Sequence, residues 1–148
     1  MNGLPPPHII EALGPFDLDP CAPKVRPWPM AKKHYTVDDN GLYQPWEGRV
    51  WCNPPYGPHT KKWVAKCIEH QNVILLIFAR VGTHMFHDWL FRRSTGMFFF
   101  RGRLAFHKAD GQRANNSGAD SVLVAFDPPN ADRLQHCNLN GTFIPLNR

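Results

Sequence analysis

A chain of 148 residues is long enough to bury one core and too short for a catalytic domain plus a separate recognition domain, so residues 1–148 are expected to form one domain. A composition of 43% hydrophobic and 20% charged residues excludes a disordered chain, while 15 prolines and 11 glycines predict many turns between short elements. Seventeen Lys and Arg against twelve Asp and Glu give a formal net charge of +5, which favours polyanionic partners such as nucleic acid. The longest apolar run, Val73 to Ala79, falls far short of the ~20 residues of a membrane span. Cys21, Cys52, Cys67 and Cys137 form no CxxC pair, and no basic-apolar signal segment opens the sequence, so a reducing, cytoplasmic setting is expected.

Pro5-Pro6-Pro7 leading into residues 8–14 predicts a short helix, with proline in its first turn and Gly14 as terminator. Phe16-Asp17-Leu18-Asp19, ended by Pro20, alternates as a strand whose carboxyl end carries an acid. Residues 22–48 are proline-rich, with a short strand near Lys33 to Thr36 and a turn at Asp39-Asn40-Gly41. A strand at Arg49 to Cys52, a helix at Thr60 to His70 and a strand at Val73 to Phe78 imply a parallel sheet. A second helix is expected over Thr83 to Arg93, with Met85, Phe86, Trp89 and Leu90 on one face. Then follow a strand at Gly96 to Phe100, a hairpin arm at Leu104 to His107 and a polar loop from Lys108 to Gly118. A strand at Ser121 to Phe126 closes the core. Asp127-Pro128-Pro129-Asn130 reads as a turn, and Thr142 to Ile144 as an edge strand.

Asn53-Pro54-Pro55-Tyr56 lies directly after a predicted strand, where open parallel sheets gather their active sites, and Asp19 projects at the same kind of position. Its residue types suit one chemistry. The exocyclic amine of adenine or cytosine is a poor nucleophile because its lone pair is delocalised into the ring. Two acceptors at its N–H groups pull nitrogen toward tetrahedral geometry and free that lone pair to attack a methyl sulfonium. The Asn53 side-chain oxygen and the Pro54 carbonyl, held by the fixed φ of consecutive prolines, are those acceptors, with no base required. Tyr56 is expected to stack on a target base flipped out of the duplex.

The order Phe16 to Ala22, Asp39-Asn40-Gly41-Leu42, Trp46, Val50 to Gly57, Trp63-Val64 and Phe100 to Arg103 resembles the small phage-type DNA N6-adenine methyltransferases. That resemblance implies a Rossmann-like methyltransferase fold reduced in size: α/β, with a mostly parallel central sheet and an antiparallel C-terminal strand. It also implies S-adenosylmethionine as donor, adenine in DNA as target, and a phage or prophage setting in a bacterial cell; the small size of the chain, with residues 23–48 and the loop from Lys108 to Gly118 as its recognition surfaces, points to a homodimer or low sequence specificity. Asn53, Pro54, Pro55 and Tyr56 then correspond to the catalytic loop. Asp17, Asp19, Pro20, Cys21 and Ala22, together with Asn53, correspond to the cofactor site, with Asp19 as partner of the methionine ammonium. Arg80, Thr83, Arg101 and Arg103 become contacts to DNA. Two features depart from the family: Leu4-Pro5-Pro6 replaces the polar Thr-Pro lead-in that helps close the cofactor pocket, and the glycine-rich loop of larger methyltransferases is missing.

The same loop chemistry serves cytosine N4, an RNA adenine or a protein glutamine amide, and a catalytically degenerate DNA-binding relative keeps the same residues. A zinc-stabilised module built on Cys52, Cys67, Cys137, His59, His70 or His136 matches no compact ligand spacing, so no metal is expected.

Overall fold

In a computed structural model describing residues 3–114 and 119–147, the elements are α1 (Pro7–Leu13), β1 (Leu18–Asp19), β2 (Lys33–His34), β3 (Val50–Cys52), α2 (Thr60–His70) and β4 (Val73–Phe78). They continue through α3, a π-helical stretch Met85–Leu90 running into an α-helical turn Phe91–Arg93, then β5 (Gly96–Phe100), β6 (Ser121–Ala125), α4 (Pro128–Gln135) and β7 (Gly141–Pro145). The unbroken apolar run of β4 has a packing reason. Val73, Leu75 and Ile77 face Val64 and Cys67 of α2, Phe86 and Leu90 of α3, and Val122 and Val124 of β6. Ile74 and Leu76 face the opposite cluster, with Ile9 and Leu13 of α1, Leu123 of β6, and Ala131 and Leu134 of α4. A strand covered on both faces cannot alternate with polar residues.

The seven strands form one sheet in the order β2-β1-β3-β4-β6-β5-β7. The first four pair in parallel. Strand β6 runs antiparallel to β4, β5 antiparallel to β6, and β7 antiparallel to β5. Strands β1 to β5 therefore all point their carboxyl ends at the same edge. From β1 the chain moves out to β2 on one side and returns to β3 on the other, so the order reverses between β1 and β3. A crevice opens at such a reversal.

Several sequence expectations shift. Strand β6 lies between β4 and β5, and two late strands, not one, run against the parallel set. Leu104 to His107 forms no strand: His107 makes only isolated bridges to Leu4 and Arg113. The loop from Lys108 to Gly118 is described only up to Ala114, residues 115–118 lying outside the described residues. The segment Asp127 to Asn130 is the start of α4 and not a turn. Asp127 is its N-cap, with its Oδ1 accepting from the Asn130 backbone N–H at 3.0 Å, and prolines occupy the first turn, where no N–H is needed.

That cap belongs to a network that clamps the edge of the sheet remote from the crevice. Asn130 Nδ2 donates to Asp127 Oδ1 and Asn72 Oδ1, both at 2.9 Å, and Asn130 Oδ1 accepts from Arg49 Nε at 2.9 Å. The Arg49 guanidinium also donates to the Leu13 and Pro15 carbonyls and lies 4.3 Å from the centre of the Phe16 ring. Asp127→Ala, which removes the cap, is predicted to lower stability by about 1–2 kcal/mol in urea unfolding; an unchanged midpoint would show that the cap contributes nothing.

Candidate functional site

Three segments converge where the strand order reverses. Asp19 ends β1 and leads into Pro20-Cys21-Ala22, Asn53 to Tyr56 follow β3, and residues 36–41 follow β2. Between them lies a cavity of about 420 Å³, lined among others by Asp19, Pro20, Cys21, Ala22, Asn53 and Pro55. That volume falls within the ~300–1,000 Å³ of small-molecule sites. Its walls are largely apolar, including Met30, Val37, Trp51 and Trp63, so a few polar atoms set the orientation of anything bound.

The strongest of these polar groups is Asp19, 2% exposed, whose Oδ1 accepts from the Cys21 backbone N–H at 3.2 Å. Burial raises its pKa from 3.8 to about 7, against the lowering influence of that hydrogen bond and of Arg26. A buried carboxyl of this kind recovers its charge when a cation or a set of hydroxyl donors arrives beside it. The Cys21 thiol, by contrast, is pushed up to about 12 by burial and by the neighbouring Asp19 charge. It serves as wall and not as nucleophile.

The loop carrying Asn53 is braced from below by α2. Thr60 Oγ1 donates to the Pro55 carbonyl at 2.8 Å and accepts from the Gly57 N–H at 3.0 Å, joining both ends of the turn. Pro54 is buried within it. Asn53 Nδ2 donates to the Gly3 carbonyl at 3.2 Å. The Tyr56 ring is stacked on Phe78 at 4.1 Å and 2°, and its hydroxyl accepts from the Phe78 N–H. Burial raises the Tyr56 pKa, so its hydroxyl stays protonated. Tyr56 is 37% exposed and borders a second groove of about 460 Å³ that also contains Lys61, Arg80, Thr83 and His84.

Not every predicted residue joins the cavity. The Asp17 carboxylate lies away from it, accepting from the Arg49 N–H at 2.7 Å and sitting 3.9 Å from Lys32 Nζ. Arg80 and Thr83 lie in the neighbouring groove. Arg101 and Arg103 are exposed beyond the carboxyl end of β5, Arg103 at 3.9 Å from Asp120, and so belong to the same sheet edge as the cavity. The cysteines of the zinc alternative are divided, Cys52 and Cys67 packing on one face of the sheet and Cys137 on the other.

Two further walls complete the cavity. One is Gly3-Leu4-Pro5, which includes the start of the lead-in expected beside the cofactor pocket and lines the cavity directly. The other is the loop of residues 36–41, noticed in the sequence as a turn and as part of the family-like order but not as a wall. Asn40 takes a left-handed φ of 55°, and Gly41 comes so close to β1 that a Cβ there would meet the Pro20 carbonyl oxygen at 2.0 Å. The loop is then tied to α2: Lys66 Nζ donates to the Leu42 and Gln44 carbonyls at 2.7 and 2.6 Å, and Trp46, whose Nε1 donates to the Gly41 carbonyl, stacks on Trp63. The Asn-Gly pair and the two tryptophans were the available signals.

Comparison with known proteins points to one family. A family model described as DNA N-6-adenine-methyltransferase (Dam) matches residues 7–140. Searches of the curated proteins and of the solved structures found no match.

The raised pKa of Asp19 has a measurable sign. Between pH 3.8 and about 7 the folded chain holds a proton at Asp19 that the unfolded chain has lost, so this group's contribution to stability is full below 3.8 and is lost as pH rises toward 7. Asp19→Asn is predicted to flatten that part of the stability–pH curve, measured by urea unfolding at several pH values. Parallel curves for the two proteins would show that Asp19 is not buried as described.

Proposed function

The chain belongs to the DNA N-6-adenine-methyltransferase family, and from that premise we propose that it transfers a methyl group from S-adenosylmethionine to the N6 amine of adenine within particular DNA sites. The observation that carries this reading is that the buried Asp19 carboxylate and the Asn53 side chain open on one cavity of small-molecule size. Its chemistry fits the cofactor. Asp19 suits the ammonium of the methionine moiety, and the apolar walls around Val37, Met30 and Trp63 suit a purine. When bound there, S-adenosylmethionine supplies a methyl group activated on a positively charged sulfur.

The residues of this chain do the rest. Asn53 Oδ1, which no described residue engages, accepts one N6–H of adenine, and the Pro54 carbonyl accepts the other. Together they localise the nitrogen lone pair toward the methyl carbon. The excess proton of the methylated amine would leave to water, so no basic side chain is called on. Tyr56, covered on one ring face by Phe78, offers its remaining surface to the flipped base. Arg80, Thr83, Arg101 and Arg103 hold the DNA backbone along the same edge of the sheet. The Arg103–Asp120 pair is exposed and weak, so exchange of Asp120 for a phosphate costs little.

The strand reversal beside the cavity supports a Rossmann-like methyltransferase fold in reduced form, acting as one domain. The formal net charge of +5 agrees with a DNA partner. No helix among the described residues is long and apolar enough to cross a membrane, and a phage or prophage chain working in the bacterial cytoplasm, with pairing of two copies to enlarge the DNA-contacting surface, completes the proposal.

Asn53→Ala is predicted to lower kcat at least about 100-fold while S-adenosylmethionine binding, measured by titration calorimetry, changes little, because the lost acceptor acts mainly in the transition state. Undiminished turnover would refute the role of Asn53, and a wild-type chain that binds no cofactor at millimolar concentration would refute the reaction. Replacing Arg101 and Arg103 together by Ala is predicted to weaken DNA binding and to reduce the slope of log affinity against log salt by about 2. An unchanged slope would mean that neither touches phosphate.

A further inference from the structure

The two ends of an asparagine amide are nearly equal in size, and only hydrogen bonding decides which end faces which way. In the proposed reaction the choice is decisive. With Oδ1 toward the substrate, Asn53 accepts an N6–H; turned over, it presents N–H groups to an amine that must itself donate. The structure contains a device that selects the first arrangement. Asn53 Nδ2 donates to the Gly3 carbonyl at 3.2 Å, and a reversed amide would set Oδ1 against that carbonyl, acceptor against acceptor.

The Gly3 carbonyl is itself held in place. The Leu4 N–H donates to the His107 carbonyl and the His107 N–H to the Leu4 carbonyl, both at 2.8 Å, so the segment before α1 is pinned to the segment after β5. Leu4 is 3% exposed, anchored in the core cluster that contains Trp51 and Leu104. The approach also requires glycine: a Cβ at position 3 would lie 2.8 Å from Phe106 Cβ and 3.1 Å from the His107 carbonyl oxygen.

The geometry points to Gly3 as a positioning residue: its backbone carbonyl, pinned through the Leu4–His107 bridge, fixes the Asn53 amide with the oxygen toward the substrate amine. This inference rests on the proposed methyl transfer. It gives the residue before the departing lead-in a task that needs a backbone carbonyl and no side chain, with Leu4 of the lead-in pinning it.

A double-mutant cycle separates this role from a merely structural one, using the full-length chain, S-adenosylmethionine and an adenine-containing DNA duplex. Gly3→Ala should lower kcat about tenfold with little change in KM for DNA, because the amide is then free to turn. Asn53→Asp faces the Gly3 carbonyl with an acceptor in either orientation and has no amide to select, so adding Gly3→Ala to it should lower kcat no further. Leu4→Pro removes the N–H that pins the segment and should reproduce the pattern by a second route. Equal losses in the Asn53 and Asp backgrounds, or no loss from either substitution in the segment, would overturn the inference. Absence of adenine methylation by the unaltered chain would overturn the reaction itself, and the role of Gly3 with it.

Discussion

The reversal of strand order between β1 and β3 is the constraint from which the site follows. Two neighbouring parallel strands end together while their continuations leave in different directions, so the chain cannot fill the space above them. Asp19 is committed to that space by its place at the end of β1, and Asn53 by its place after β3. The flanking loops close the walls, one drawn in by the contact of Gly41 with Pro20, the other by the bridge between Leu4 and His107.

Inside that frame the chemistry is economical because it asks little of ionisable groups. Burial raises the Asp19 pKa to about 7, Cys21 is kept protonated, and the Tyr56 hydroxyl is engaged with the backbone of Phe78. What remains is a set of hydrogen-bond acceptors at fixed positions, held by Thr60 below the loop and by the Gly3 carbonyl beside it. In the proposed reaction such a site works by orientation, which suits methylation of a weakly nucleophilic amine.

Much of this was legible in the sequence where a local signal existed. The apolar run of β4 and the periodicity of α2 fixed their bounds, and the family resemblance is borne out by the match over residues 7–140. Errors arose where the answer was not local. Asp127-Pro128-Pro129-Asn130 carries both turn and helix-start signals, and the decision for α4 comes from the burial of Ala131 and Leu134 against the sheet. The insertion of β6 between β4 and β5 is a tertiary pairing that no spacing announces. Asp17 and Asp19 look alike in the alternation and would share one face of a regular strand, yet Asp17 lies just before β1, exposed beside Lys32, while Asp19 ends β1 and is buried at the cavity. The role of Gly3 was invisible because it depends on a carbonyl, which every residue has.

The central claim is the identity of the methylated atom. Incubating the purified chain with duplex DNA and S-adenosylmethionine carrying an isotopically labelled methyl group, then digesting the DNA to nucleosides for mass spectrometry, reads that atom directly. The account predicts label in N6-methyldeoxyadenosine. Label confined to N4-methyldeoxycytidine, or no label in DNA while the cofactor is bound, would contradict it.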